Sequence, residues 1–162
     1  MGVKRNGVRH KQVGEYHYAV FALPEGDHYR WTVTRSDMSE RTTDHFGRQL
    51  TTGTAKDEAE AWLVGKSWLN KYLLRTYLEG EFPGQTVSEF SHPERGGQGF
   101  RIHDGVPLVA LVSDEFLEDT DTEKIMEILR RWNLAQAMRT MGKDTVVFVT
   151  TEGLRSEERR RL

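Results

Sequence analysis

Residues 100–113, FRIHDGVPLVALVS, and residues 146–149, VVFV, decide the fold. Asp104-Gly105 between two apolar runs is a strong hairpin signal, because a two-residue turn of this kind needs residues that accept positive φ. Pro107 has no N–H to donate to a ladder, which puts the start of the second strand at an edge or a bulge. Leu108 to Val112 and Val146 to Val149 are continuously apolar, as strands buried on both faces are, and a helical stretch of about 20 residues separates them. Strand, helix and strand in this order predict a βαβ unit, two parallel strands joined by a right-handed crossover.

The connecting helix carries its own punctuation. Thr120-Asp121-Thr122-Glu123 reads as a capping box, and Gly142 stands where a helix ends. Its apolar stripe begins as Ile125, Ile128, Leu129, Trp132 and Ala135, then continues as Leu134, Ala137, Met138 and Met141 on nearly the opposite side. This change of side predicts a kink or break near Asn133; the alternative is a straight helix buried on both sides.

Toward the N-terminus, Tyr16 to Leu23 and His28 to Arg35 flank Pro24-Glu25-Gly26-Asp27 and read as another hairpin. A four-residue loop pairs Leu23 with His28. Tyr16, Tyr18, Val20 and Ala22 then share the core face with Tyr29, Trp31 and Val33, while His17, Ala19 and Phe21 lie outward beside Arg30 and Thr32. Phe46 to Leu50 and Thr86 to Phe90 are candidates for further short strands. Thr54-Ala55-Lys56-Asp57 resembles a capping box, and Gly80 and Pro83 end the helix it opens. That helix carries two apolar stripes, Ala55, Ala59, Trp62, Leu69, Leu73 and Ala61, Val64, Trp68, Tyr72. This is more apolar arc than packing on one sheet requires, so a second surface is expected to cover the rest.

Together these readings predict an α+β fold: a mixed β-sheet built from two β-hairpins plus a C-terminal strand, with two main α-helices, in the order ββα-ββαβ. The expected organisation is a flexible basic tail over 1–13, a hairpin-helix unit over 14–80, a loop or linker over 81–99, a hairpin-helix-strand unit over 100–152 packed on the first, and a charged tail over 153–162. The chain has 162 residues, a formal charge of -2 and no cysteine. Disulfide frameworks, thiolate metal sites and catalytic cysteines are thereby excluded. Met1 to Gly14 lacks the apolar core of a secretory signal, and no apolar run reaches the roughly 20 residues of a membrane span, so a cytoplasmic protein with no membrane partner is expected.

No motif names a reaction. The six histidines show neither metal-site spacing nor an HExxH pattern, and no resident metal or cofactor is expected. Three readings remain. The leading one is a non-enzymatic binding or regulatory protein acting through protein–protein contacts, with a partner protein or itself, because Trp68 and Tyr72 lie on the over-apolar first helix. Another is single-stranded nucleic-acid binding: Phe21, His17 and Arg30 on the outer hairpin face, approached by Lys4, Arg5, Arg9 and Lys11, would stack bases and neutralise phosphates. The last is a Mg²⁺-dependent phosphate-ester hydrolase. Asp114, Glu115 and Glu152 follow the carboxyl ends of the parallel strands, where open α/β sheets place ligands and where oxygen donors suit a hard cation.

Overall fold

The computed structural model describes residues 9–37, 48–91, 97–103, 107–141 and 145–158. The fold is α+β, with its strands in two sheets instead of the one expected. Two compact units meet between Leu69 and Asn70, inside the helix α1 (Glu58–Glu81).

In the first unit, β1 (Arg9–Val13), β2 (Tyr16–Glu25), β3 (His28–Asp37) and β4 (Arg48–Ala55) form an antiparallel sheet in sequence order. The predicted hairpin is β2–β3, but its turn has two residues, Gly26-Asp27, so that Glu25 pairs with His28 and Leu23 with Arg30. Gly26, at φ 65°, lets the chain reverse this tightly. The two-residue slip preserves the parity of the faces. Tyr18, Val20, Ala22, Trp31 and Val33 are buried as expected, while Tyr16 and Tyr29 are half-buried; Ala19 and Phe21 are buried too, which corrects their outward assignment. Alternation along β3 distinguishes two faces, but the run Tyr18 to Ala22 is apolar on both and is covered on both.

Strand β4 runs on through Thr54 and Ala55, so the helix starts three residues later than the Thr54 cap would place it. The side chain of Asp57 accepts the Glu60 N–H at 2.8 Å, and the Glu60 carboxylate accepts the Lys56 N–H at 2.9 Å, a reciprocal arrangement of the capping-box type. In the first half of α1, Ala61, Gly65 and Leu69 are buried at four-residue spacing, and Gly65 lies against the sheet. A Cβ at Gly65 would stand 2.6 Å from Val20 Cγ1, so the backbones approach closely there.

The second unit holds β5 (Thr86–Ser91), β6 (Gln98–His103), β7 (Leu108–Val112), β8 (Thr145–Thr150) and β9 (Gly153–Glu158), in that order across the sheet. Only β7 and β8 are parallel, with Val109 opposite Val146 and Val112 opposite Val149, and these are the two strands of the predicted crossover. The Asp104-Gly105 turn and the Gly142 helix end lie outside the described residues. Gly153 to Glu158, expected as charged tail, pair antiparallel with β8 as an edge strand; their polar side chains hide the strand from a hydrophobicity pattern.

The crossover contains three helices, α2 (Asp114–Asp119), α3 (Ile125–Trp132) and α4 (Leu134–Met141), with a 3-10 turn at Thr122–Lys124. Ser113 caps α2, accepting the Phe116 N–H at 3.1 Å, and the helix buries Phe116 and Leu117. Asp121 caps the 3-10 turn through the Glu123 N–H. Between α3 and α4 the chain breaks where the stripe changes side: Asn133 takes a left-handed conformation, φ 55° and ψ 53°, and its N–H bonds back to the Arg130 carbonyl. Phe100, Ile102, Ala110, Val112, Val147 and Val149 of the sheet and Ile125, Leu129, Leu134 and Met138 of the helices are buried, and on the other face of the sheet Val109, Leu111 and Val146 form a buried cluster with Phe90 and Phe148 packed against it. Two buried polar side chains of α1 position the crossover. Asn70 Nδ2 donates to the carbonyls of Leu117 and Thr120, at 2.8 and 2.9 Å, and Tyr77 Oη accepts the Ala135 N–H at 3.1 Å.

Candidate functional site

The outer face of β2–β3 does not assemble the stacking platform its sequence suggests. Phe21 is buried, His17 is half-buried, and Arg30 is held by Glu25 in a two-pronged pair, Nε to Oε2 at 2.5 Å and Nη2 to Oε1 at 3.0 Å. A guanidinium already paired with a carboxylate has little left for a phosphate. Arg9 and Lys11 lie in β1, while Lys4 and Arg5 lie outside the described residues. At the turn, His28 stands 3.0 Å from Asp27 and 3.5 Å from Glu25. The Asp27 side chain, with Glu25 assisting, raises the His28 pKa. His28 lowers that of Asp27, and Arg30 lowers that of Glu25.

The carboxylates after the parallel strands are likewise not gathered into a centre. The strand ends adjoin, since the Ser113 N–H donates to the Val149 carbonyl at 3.0 Å. Asp114 and Glu115, however, are exposed in the first turn of α2, where negative charge complements the helix dipole. Glu152 is exposed in the β8–β9 turn, its N–H directed at Thr150 Oγ1. Among the described residues no group of three or more His, Asp or Glu side chains is placed to hold a metal ion. Likewise among them, no helix is long and apolar enough to cross a membrane.

On α1 the expected stripes are redistributed. Ala61, Leu69, Leu73, Leu74, Tyr77 and Leu78 are fully buried or nearly so, whereas Ala59 is exposed because β4 extends to Ala55 and leaves it on the first turn. Trp68 and Tyr72 are half-buried and engaged in contacts of their own. Leu63 and Val64 are 41% and 37% exposed, two adjacent apolar side chains in the middle of the first half of the helix.

A group that the sequence reading passed over lies on β5 and β6. The Glu89 carboxylate meets Arg75 of α1 at 2.9 Å, so Val87 and Glu89 face the helix. By strand alternation Ser88 and Phe90 face the other way, with their ladder partners Arg101 and Gly99. On that face Ser88 Oγ and His103 Nε2 are 2.7 Å apart, and Arg101 Cζ lies 3.8 Å from the centre of the Phe90 ring. The signal available in the sequence was the alternation of Thr86 to Ser91 against Gln98 to His103, visible only once the two are read as one ladder.

No protein-family model matches this chain, and no curated protein or solved structure matches it significantly.

Proposed function

We propose that the protein is a non-enzymatic binding or regulatory protein that acts through protein–protein contacts made by the first half of α1, a second copy of the chain being the first partner. The observation that carries this reading is the exposure of Leu63 and Val64 together on one turn of a helix. Scattered single apolar residues are ordinary on a surface, but an adjacent pair beside half-buried aromatics provides the apolar centre that contact surfaces use. Trp68 follows Val64 at four-residue spacing, and its ring would rim such a contact.

The reading is tested by mixing ¹³C-labelled and unlabelled protein and recording isotope-filtered contacts between copies. The methyl groups of Leu63 and Val64 are expected to show intermolecular contacts at high protein concentration. Their absence while other surface methyls show them would reject α1 as the contact.

A further inference from the structure

We propose that Arg101, Ser88 and His103 form a binding site for the phosphate group of a small phosphomonoester. The site is independent of the α1 contact. Its foundation is a stack: the Phe90 ring lies on Gly99, and the Arg101 guanidinium lies over that ring. A guanidinium seated on an aromatic face loses little further freedom when its N–H edge meets an oxyanion. Arg35 and Arg139 also lie over aromatic rings, those of Tyr16 and Phe82, and Arg139 donates to the Glu81 carbonyl as well. Arg30 is paired with Glu25, and Arg75 with Glu79 and Glu89, whereas no described carboxylate pairs with Arg101.

Ser88 stands directly opposite Arg101 in the ladder, so the hydroxyl and the base of the arginine side chain are cross-strand neighbours. His103 holds that hydroxyl at 2.7 Å. With Nε2–H donated to Ser88 Oγ, the hydroxyl hydrogen is free to serve as a donor on the strand face that also carries the Arg101 side chain. The guanidinium edge offers two N–H groups and Ser88 offers an O–H. Three donors match the three terminal oxygens of a phosphomonoester better than the two of a carboxylate.

The test is a ¹H–¹⁵N NMR titration of the full chain with methyl phosphate, and separately with acetate, at constant ionic strength set by chloride. Methyl phosphate is expected to shift the amides of residues 86–91 and 98–103 to saturation, and to bind more tightly than acetate. Arg101→Met is expected to weaken methyl phosphate by about tenfold, the equivalent of one hydrogen bond to a charged group. Ser88→Ala, which leaves the Arg101–Phe90–Gly99 stack in place, is expected to weaken it by roughly threefold to tenfold and serves if the arginine variant does not fold. Non-saturating shifts in the wild-type protein, or unchanged affinity in folded Ser88→Ala, would overturn the site. Tighter binding of acetate would overturn its assignment to phosphate.

Discussion

The ring of Phe90 lies over Gly99, its direct partner across the β5–β6 ladder, so closely that a Cβ at Gly99 would collide with three ring atoms. The first sheet repeats the device. Trp31 pairs with Gly53, and a Cβ there would stand 2.6–2.9 Å from the indole. In both cases an aromatic side chain covers the backbone of a residue with nothing of its own to pack, which restores the burial a strand glycine forfeits.

Gly53→Ala and Gly99→Ala are therefore expected to destabilise the protein, by about 1–3 kcal/mol each, although alanine is ordinarily the better residue in a strand. Urea denaturation measures this. Adding Trp31→Leu to the first variant, or Phe90→Leu to the second, is expected to cost less than the sum of the separate changes, because the collision is removed with the ring. Strict additivity would mean that the ring does not occupy the glycine's space.

Asn133 joins α3 to α4 in a left-handed conformation at φ 55°. Asn133→Gly is expected to leave stability within a few tenths of a kcal/mol, whereas Asn133→Val should cost about 1–2 kcal/mol because a β-branched residue resists this region. Equal thermal stability of the two variants would contradict the break at this residue.

Tyr77→Phe removes the acceptor of the Ala135 N–H in a buried setting. The expected loss is about 1–3 kcal/mol, the cost of leaving a buried donor unpaired. Hydrogen exchange at the Ala135 amide is expected to accelerate more than exchange at Met138 on the same helix. Equal acceleration at both would indicate global destabilisation only.

The hairpin tip gives a pH signature with opposite signs at its two ends. The His28 pKa is raised in the folded chain by Asp27 first and Glu25 second, so its contribution is complete below the ordinary histidine value and is lost as pH rises through the folded value. The pKa values of Glu25 and Asp27 are lowered, so theirs are complete above the ordinary carboxylate values and are lost as pH falls through the folded ones. NMR titration is expected to place His28 above an unstructured histidine, and Asp27→Asn is expected to move it back down. A His28 titration unchanged by Asp27→Asn would refute the pairing.

What was legible in the sequence was whatever carried a pattern long enough to repeat. The βαβ order showed in two wholly apolar runs, the break at Asn133 in a stripe that changed sides, and the first hairpin in aromatic alternation around a turn. What escaped was short, polar or dependent on pairing. Helix α2 hides Phe116 and Leu117 among the acids Asp114, Glu115, Glu118 and Asp119. Strand β9 has one large apolar residue, Leu154, and is defined by its ladder with β8. The α1 cap lay with Asp57 and Glu60, three residues past a Thr54 that fits the same motif but belongs to β4. The surroundings of the candidate residues were hidden for a related reason. Spacing along the chain gave the positions of Phe21, Arg30, Asp114 and Glu152, but whether each was covered, paired or exposed depended on residues far from it in sequence.

The most direct test of the proposed function is the mass of the protein in solution, measured by light scattering across a concentration series for the wild type and for Leu63→Glu with Val64→Glu. These side chains are exposed, so the double variant is expected to keep the wild-type unfolding midpoint. The wild-type mass is expected to rise with concentration toward that of a dimer, and the variant to stay monomeric. A wild type that remains monomeric throughout, or a variant that associates as well as the wild type, would contradict the proposed function.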